Sequence, residues 1–230
     1  MRIYRHWRDV PAQGRGAVVA IGNFDGVHLG HQAVIAEAGR IARATGAPLA
    51  VLTFEPHPRE FFGRTDGPFR LTPFRIKLRE IAALGVDILY LLRFDAKLAA
   101  LAADDFIHSL LVGGLGVSHV VVGYDFAFGQ ARGGNFALLQ QNAEKGGYQV
   151  DQVSVAGSDD GIYSASEART LLSAGDVAGT ARILGRPWEI EGRVQDGEKR
   201  GRQLGFPTAN LTVGGTLHPD HGVYALWAGL

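Results

Sequence analysis

The chain contains no cysteine, and this absence excludes several kinds of protein chemistry. A disulfide framework, a thiolate metal site, an iron–sulfur cluster and a cysteine nucleophile all require that residue. Net charge is absent as well, because 23 Lys and Arg balance 23 Asp and Glu. No overall field therefore attracts nucleic acid or an anionic membrane, and any anion site has to be local.

Long hydrophobic runs are also missing. The stretch 81–92 is cut by Gly85 and Asp87, well short of the about 18 apolar residues that a membrane helix needs. Residues 1–10 hold three Arg and a His with no apolar block behind them, which is not the pattern of a secretory signal. We expect a cytoplasmic protein with neither a membrane nor a nucleic-acid partner.

The length of 230 residues corresponds to roughly one and a half domains of the usual size. Short apolar strands alternate with amphipathic helices over residues 1–184, which predicts a doubly wound α/β fold with a parallel sheet. Strands are predicted at 17–21, 49–54, 87–94, 119–122 and 148–155, and helices at 31–44, 72–84, 104–111, 130–145 and 164–184.

The residue pattern changes after Gly185-Arg186-Pro187. Alternating residues (WEIEGRV), a basic glycine-rich loop and a final β-like run (GVYALWAGL) predict the opening of a second, all-β module over 185–230. About 45 residues rarely close an independent barrel, so this module is expected to be incomplete.

The segment 22–31 (GNFDGVHLGH) lies between the first predicted strand and the first helix, where open α/β sheets bind ligands. Its glycines let the backbone approach a phosphate, and a helix N-terminus supplies amide donors for an anion. His28 and His31 are three residues apart, so both imidazoles project to one side of a first helical turn. Two imidazoles placed there stabilise charge that develops on a reacting phosphate.

Other interpretations of this histidine pair are open. One His near a helix start is often a cap or a surface residue, and a pair at this spacing occurs in zinc sites. A metalloprotease helix requires a Glu beside a His, and none is present; no Cys completes a zinc site. Neither a GxxxxGK[ST] nor a GxGxxG motif follows a predicted strand, which argues against P-loop kinases and dinucleotide oxidoreductases.

The segment GNFDGVHLGHQ closely resembles the first motif of the prokaryotic bifunctional riboflavin kinase/FMN adenylyltransferases (FAD synthetases), which are HxGH nucleotidyltransferases. Five further stretches continue the resemblance in order, over nearly the whole chain: TFEPHPREFF at 53–62, RLTPFRIKL at 70–78, VVGYDFAFG at 121–129, GDVAGTARILGRPW at 175–188 and GRQLGFPTANL at 201–211.

The resemblance implies transfer of AMP from ATP to the phosphate of FMN, giving FAD and pyrophosphate, with Mg²⁺. By similarity, His28 and His31 hold the ATP phosphates. The surrounding ATP-binding segment comprises Gly22, Asn23, Phe24, Asp25, Gly26 and Gly30. Asp25 is also compatible with an ordinary turn residue.

The family's second phosphate motif, SSTxxR, falls on Ser164-Ala165-Ser166-Glu167-Ala168-Arg169. Ala165 replaces the middle Ser and Ser166 replaces Thr, which puts rate or affinity in doubt. Ser166 keeps a hydroxyl able to cap the next helix and bind a phosphate, and Arg169 keeps a fork suited to β and γ oxygens. A Ser N-cap followed by an exposed Arg is the structural alternative.

On the flavin side, the resemblance implicates the residues that follow the second and fourth predicted strands. Aromatic rings there stack on an isoalloxazine, and Asp125 accepts from its ring N–H or from ribityl hydroxyls. Phe54 and Phe126 are equally compatible with the core. The implied flavin-binding residues are Phe54, Pro56, His57, Pro58, Tyr124, Asp125, Phe126 and Phe128.

In the second module, the run 196–205 and the following FPTAN resemble the riboflavin kinase ATP-binding motif. The implied kinase residues are Gly205, Pro207, Thr208 and Asn210, with the oxygens of Thr208 and Asn210 as Mg²⁺ ligands. A basic run of this kind is more usually a solvated loop. The family's catalytic acidic residue lies beyond position 230, so we expect no kinase activity from the chain as given.

Two alternatives to the main hypothesis stay open. An HxGH transferase could act on a different small acceptor, such as a phosphopantetheine or nicotinamide nucleotide. A flavin- or nucleotide-binding module without turnover is the other, suggested by the short β portion and the altered Ser motif. The expected partners are the small molecules ATP, FMN and riboflavin, and the oligomeric state is left open.

Overall fold

A six-stranded, fully parallel sheet forms the centre of the computed structural model, which describes residues 1–65, 67–158, 161–195, 197, 205–206, 208–212 and 214–229, with only the backbone of Ser158. The strands of the central sheet are β1 (Arg2–Tyr4), β2 (Val18–Ile21), β3 (Leu49–Glu55), β4 (Ile88–Arg93), β5 (His119–Gly123) and β8 (Gln149–Val153), and they run in the order β1-β4-β3-β2-β5-β8. Short two-stranded pairs lie outside it: β6 (Ala127–Phe128) with β7 (Gly134–Asn135), β9 (Gly157–Ser158) with β10 (Gly161–Ile162), and β11 (Arg193–Gln195) with β12 (Asn210–Thr212).

The α-helices of the described residues are α1 (Leu29–Thr45), α2 (Pro58–Phe61), α3 (Phe74–Ala83), α4 (Ala96–Ala99), α5 (Ala103–Asp105), α6 (Phe136–Gly146), α7 (Ala165–Ser173) and α8 (Val177–Leu184). A π-helical segment, Phe106–Leu115, continues directly from α5, and 3₁₀ turns occupy Ala12–Gly14 and Gln130–Arg132. None of the helices in the described part of the chain is long and apolar enough to cross a membrane.

The sheet has apolar clusters on both faces, as the sequence predicted for a doubly wound fold. Alternate residues of β2 divide between them: Val19 and Ile21 join the π-helical segment on one face, while Val18 and Ala20 pack with α1 on the other. Burial on both faces explains why the central strands read as continuous apolar runs rather than alternating ones. A third cluster joins α7 and α8 to Leu71.

Strand order places the β2–α1 loop, Gly22–His28, at the switch point of the sheet. From β2 the chain proceeds to β3 and β4 on one side and then crosses to β5 on the other. Ile21, the last residue of β2, is in register with Leu52 of β3 and with Val122 of β5. The loop therefore leaves the sheet between these two strands, and β3 continues beyond it to Glu55. Ligands of open α/β sheets bind at this crevice, outside the carboxyl ends of the strands.

Two predicted helices have different bounds in the structure. The helix expected at 130–145 begins only at Phe136, because the Asn135 side chain caps it and the preceding residues form the β6–β7 pair. The segment expected at 104–111 extends to Leu115 in π-helical form. Within this segment Gly114 lies against Trp7, and a Cβ at Gly114 would lie 2.5 Å from the Trp7 carbonyl oxygen.

The helix expected from Ser164 to Leu184 is two helices, α7 and α8. Gly175, with φ +78°, turns the chain between them, and the Asp176 side chain caps the second. The short edge strand β1 was not predicted, because its three residues, two exposed and one half-buried, give no periodic signal.

The region after residue 185 is less regular than predicted. Its β structure in the described residues is the β11–β12 pair, and the β-like run GVYALWAGL is not a strand over residues 222–229. A strand requires a hydrogen-bonded neighbour, and the described residues offer this run none. Val223 and Trp227 are fully exposed as a result.

Candidate active site

The β2–α1 loop adopts a strained backbone at the centre of the candidate site. Phe24 and Val27 have left-handed φ angles of 52° and 43°, and Gly26 has φ 83°. Left-handed backbone at bulky or β-branched residues is costly and persists where surrounding contacts over-determine it. Such strain is frequent at ligand-binding loops, and here the contacts that impose it are visible.

Asp25 is the principal anchor of this loop. Its carboxylate is buried and accepts from the backbone N–H of Leu71 at 3.1 Å and of Thr72 at 3.2 Å. The Thr72 hydroxyl in turn accepts from the N–H of Gly26 at 3.0 Å. The segment before α3 therefore fixes two consecutive residues of the loop.

Arg169 of α7 completes this anchor from the far end of the domain. Its Nη2 lies 2.5 Å from Asp25 Oδ2, and its Nε donates to the Phe69 carbonyl at 2.8 Å. The guanidinium also lies over the Phe69 ring at 5.1 Å. The Arg169 guanidinium, which was expected to face phosphate oxygens, is thus paired with Asp25. The alternative of an exposed helix Arg is wrong, because the Arg169 side chain is only 15% exposed.

His28 and His31 meet at the start of α1. Their rings are stacked, with centroids 3.6 Å apart and planes 26° from parallel, and the Phe24 ring meets His31 edge-on at 5.0 Å. His28 is the N-cap of α1, and its Nδ1 accepts from the His31 backbone N–H at 3.3 Å. In the neutral ring this acceptor role assigns the proton to Nε2, so His28 presents an N–H donor on its other side.

Burial holds both histidines in the neutral form. Burial lowers the pKa of His28 to about 4, opposed by Asp25 and assisted by Arg169. Burial also holds the pKa of His31 well below its usual value, and the charges of Lys77 and Arg169 act in the same direction. His31 Nδ1 is buried with no hydrogen-bond partner in the described part of the structure. A desolvated, partly unsatisfied pair of this kind favours an anion that accepts its N–H groups.

At Gly30, the first turn of α1 approaches the residue that precedes the cap of α7. A Cβ at Gly30 would lie 2.7 Å from the Tyr163 carbonyl oxygen, so only glycine fits at this approach. Ser164 is the N-cap of α7, and its Oγ accepts from the Glu167 N–H at 3.1 Å. The expectation that Ser166 caps the helix is therefore wrong, because Ser166 is the second residue of α7 and is exposed.

The residues expected to bind flavin lie at the ends of β3 and β5, the two strands that flank β2. Phe54 and Phe128 are buried in the main core cluster, Phe126 is half-buried and stacks on Phe128 at 5.5 Å, and Tyr124 and Asp125 are exposed. Pro56 is exposed and Pro58 is half-buried at the start of α2.

His57 has a structural role that the sequence did not indicate. It is the N-cap of α2, its Nδ1 accepts from the Arg59 N–H at 3.1 Å, and the Glu60 side chain accepts from the His57 N–H at 3.1 Å. This reciprocal arrangement is a capping box. Burial lowers the pKa of His57 to about 3, with Asp25 opposing the shift.

A buried ionic network beneath the loop was missed at the sequence level. Lys77 is 1% exposed, forms an ion pair with Glu55, and lies 3.4 Å from the Asn23 carbonyl oxygen. Burial lowers the Lys77 pKa, and Glu55 opposes that shift. Arg70 pairs with the same Glu55. The charged residues inside the motif RLTPFRIKL carried the signal, because an apolar helix face rarely contains a Lys without a partner.

The expected kinase residues lie apart from these contacts. Gly205, Thr208 and Asn210 are exposed, Asn210 begins β12, and Pro207 lies outside the described residues, as does most of the basic run 196–205. In the described part of the chain no three His, Cys, Asp or Glu residues cluster as metal ligands.

Fold and site together define a nucleotidyltransferase-type α/β domain, with a histidine-bearing strand-to-helix loop at the switch point of a parallel sheet. Residues 10–167 match the FAD synthetase family model, and residues 184–230 match the riboflavin kinase family model. The chain belongs to the FAD synthetase family.

Relatives described as bifunctional riboflavin kinase/FMN adenylyltransferases match nearly all of the chain. It is 41% identical to the bifunctional riboflavin kinase/FMN adenylyltransferase of Pseudomonas fluorescens, over 97% of this chain and 72% of that protein. Identity to the protein of the same description from Escherichia coli K12 is 40%, over 94% of this chain and 69% of the relative.

A solved structure also matches, under a different description. The chain resembles a crystal structure titled as a macrolide-efflux protein from Streptococcus pneumoniae, with a TM-score of 0.85 and 29% identity, over 96% of this chain and 72% of that one. The likeness supports the doubly wound α/β assignment.

Proposed function

We propose that the chain transfers AMP from ATP to the phosphate of FMN, producing FAD and pyrophosphate. The observation that carries the proposal is the stacked, neutral pair of His28 and His31 at the first turn of α1, on a strained glycine-containing loop at the sheet's switch point. Membership of the FAD synthetase family and relatives described as FMN adenylyltransferases supply the acceptor.

The reaction requires positioning more than covalent help. An oxygen of the FMN phosphate attacks the α-phosphorus of ATP and forms a new P–O bond. The bond between the α-phosphorus and the oxygen that bridges to the β-phosphorus breaks in line with this attack. Pyrophosphate leaves with the electron pair of the broken bond. No side chain forms a covalent bond to the nucleotide in this scheme.

In the proposal, His28 and His31 bind the ATP phosphates. The Nε2–H of His28 donates to a phosphate oxygen, and the amides of the first turn of α1 point toward the same anion. Negative charge that accumulates on the departing pyrophosphate strengthens these hydrogen bonds, because an N–H donor binds a more highly charged acceptor more tightly.

Asp25 and Arg169 preserve the shape of the loop in this scheme. Because the Asp25 carboxylate is occupied by backbone amides and Arg169, it serves as an anchor and not as a base. Gly22, Asn23, Phe24, Gly26 and Gly30 form the surface that receives the nucleotide, and Ser164 and Ser166 at the start of α7 provide hydroxyls beside it.

The flavin is proposed to bind across the ends of β3 and β5. Exposed Tyr124 and Asp125 offer a ring face and an acceptor, while Pro56, His57 and Pro58 form the facing edge. Phe126 borders the flavin, and buried Phe54 and Phe128 form the floor of that site.

Mg²⁺ is proposed to enter bound to the nucleotide. Mg²⁺ in nucleotide-dependent enzymes is commonly held by substrate phosphates, water and one or two protein oxygens rather than by a protein-only cage. In the riboflavin kinase segment, Thr208 and Asn210 offer exposed oxygen donors whose chemistry suits Mg²⁺, and Gly205 and Pro207 belong to the same proposed site. We place the domain boundary between 184 and 185, and the protein in the cytoplasm.

The test is to incubate the chain with ATP, Mg²⁺ and FMN and to measure FAD and pyrophosphate together. We expect equal amounts of the two products. Pyrophosphate with another acceptor but none with FMN would indicate a different HxGH transferase. Binding of ATP and FMN without either product would indicate a binding module, an outcome that the engaged Arg169 and the Ala165 replacement make worth measuring.

A further inference from the structure

Arg186 lies beyond the FAD synthetase match, in the segment that matches riboflavin kinase, yet its side chain reaches the β2–α1 loop. Its Nη2 donates to the Gly26 carbonyl at 2.9 Å. Gly26 lies between the anchor Asp25 and the strained Val27, so this bond acts on the most distorted part of the loop. No other side chain of the described residues donates to that carbonyl.

A second link from the same region reaches the next residue of the loop. Gln32 Nε2 donates to the Val27 carbonyl at 2.9 Å and to the Leu184 carbonyl at 3.0 Å. Arg186 Nη1 lies 3.4 Å from that Leu184 oxygen. The Leu184 carbonyl at the end of α8 thus accepts from both Gln32 and Arg186. Through these two side chains it is linked to the first turn of α1 and to the loop.

Arg186 is itself held in place by α3. Its Nε lies 3.1 Å from Glu80 Oε2, at an angle that does not make a hydrogen bond, and both side chains are about four-fifths buried. The planar guanidinium of Arg186 contacts the Gly26 carbonyl through one nitrogen and the Glu80 carboxylate through another. A lysine ammonium is a single point charge and makes two such contacts less well. Nearby, Trp188 Nε1 donates to the Leu71 carbonyl at 3.1 Å, and Leu71 carries one of the amides that bind Asp25.

We propose that Arg186 is a positioning residue for adenylyl transfer: from the kinase side of the family boundary, it fixes the Gly26 carbonyl and so the loop that receives the ATP phosphates. The inference rests on the proposed function. It implies that the nucleotide site is completed by the start of the following module, so that the two segments are coupled through Gly26 and Leu71.

The experiment compares the full chain with Arg186→Ala, Arg186→Lys and the control Arg182→Ala. Arg182 is an exposed basic residue in the last turn of α8 and has no part in these contacts. Steady-state kinetics of FAD formation give kcat and the KM for ATP, fluorescence quenching gives the Kd for FMN, and amide hydrogen exchange of residues 24–27 is followed without nucleotide. Thermal unfolding of each variant is recorded alongside.

For Arg186→Ala we expect the KM for ATP to rise at least about tenfold, as for loss of a charge-assisted hydrogen bond. Amide exchange at Gly26 and Val27 should quicken about tenfold, while the Kd for FMN stays within about twofold. Arg186→Lys should recover part of the ATP affinity, because it keeps the charge beside Glu80, and Arg182→Ala should match the parent chain.

Three results would overturn the proposal. One is an unchanged KM for ATP with unchanged exchange at residues 24–27. Another is a general loss of thermal stability with exchange faster everywhere and no selective effect on ATP, which indicates a structural role only. The third is equal loss in the Arg182 control. If the parent chain forms no FAD, the proposed function fails, and loop exchange together with MgATP binding by calorimetry still decides the role of Arg186.

Discussion

Asp25 and Arg169 are 144 residues apart in sequence, and in the structure Arg169 Nη2 lies 2.5 Å from Asp25 Oδ2. The pair joins the loop after β2 to the start of the α7–α8 unit. Since Asp25 also accepts two backbone amides of the segment before α3, three parts of the chain converge on one buried carboxylate.

Replacing either partner of this pair should destabilise the fold strongly. Asp25→Asn or Arg169→Met each leaves a buried charge uncompensated, which costs about 3–5 kcal/mol of unfolding free energy. The double variant should cost less than the sum of the two by about 1–3 kcal/mol. Urea unfolding of the four proteins measures this cycle, and strictly additive effects would show that the two residues do not act as a pair.

His28→Ala should reduce catalysis more than binding. Loss of a donor to the departing pyrophosphate lowers kcat about 10²-fold, the usual effect of removing one stabilising donor. The Kd for FMN should remain within about twofold, because His28 lies on the nucleotide side. Turnover measured with saturating ATP and FMN checks this, and His221→Ala, at an exposed position, is the control. A full rate in His28→Ala would remove His28 from the chemistry.

The fold should lose stability as the pH falls from 7 to 4. His28 and His57 have pKa values of about 4 and about 3 in the folded chain, against 6.5 unfolded, so the unfolded state binds more protons in this window. Stability therefore rises with pH and is lost on acidification. Each histidine should contribute about 2 kcal/mol of the loss between pH 7 and pH 5.

Urea unfolding at those two pH values isolates the histidine contributions. In His57→Gln, the difference between pH 7 and pH 5 should shrink by about 2 kcal/mol relative to the parent chain. The variant has no proton to gain, although the cap of α2 is weakened at both pH values. An identical pH dependence in parent and variant would show that the buried neutral state of His57 is not linked to folding.

Gly30→Ala should impair the nucleotide site. The added Cβ would lie 2.7 Å from the Tyr163 backbone oxygen, so α1 and the start of α7 would have to separate. We expect the KM for ATP to rise about tenfold or more and stability to fall by about 1–3 kcal/mol. Gly67→Ala is the matched control, because a Cβ at Gly67 has no neighbour within 4 Å. Equal effects of the two substitutions would contradict the close approach at Gly30.

Asp125→Ala tests the flavin side separately. Asp125 is exposed two residues after the end of β5, so thermal stability should hardly change. Loss of an acceptor for the flavin should raise the KM for FMN about tenfold and leave the KM for ATP unaltered. An unchanged KM for FMN would place the flavin elsewhere on this edge of the sheet.

The fold class was predictable because its signals are local. Buried central strands such as LAVLTF are continuous apolar runs, and helix ends are marked by residues such as Gly46 and Gly85, both with positive φ in the structure. The segment that departed most from expectation, GVYALWAGL, depends on hydrogen-bonded neighbours, and strand propensity alone does not provide these.

The candidate site was predictable only in part, because the sequence carries local signals but does not show contacts between distant segments. Spacing placed His28 and His31 together at the start of α1, since three residues make one turn. It did not show that Asp25 binds Arg169, that His57 caps α2, or that Lys77 lies beneath the loop with Glu55. The contacts of Asp25 and Lys77 join segments that are distant in sequence, so only the folded chain identifies their partners. The cap at His57 is local, and it was missed because His is not among the usual N-cap residues.

The most direct test of the account is a crystal structure of the chain with Mg²⁺ and a non-hydrolysable ATP analogue. We predict the triphosphate at the first turn of α1, with a phosphate oxygen accepting from His28 Nε2 and with the Asp25–Arg169 pair intact. A nucleotide bound elsewhere, with the rings of His28 and His31 packed against each other as in the free chain and no phosphate beside them, would contradict the account.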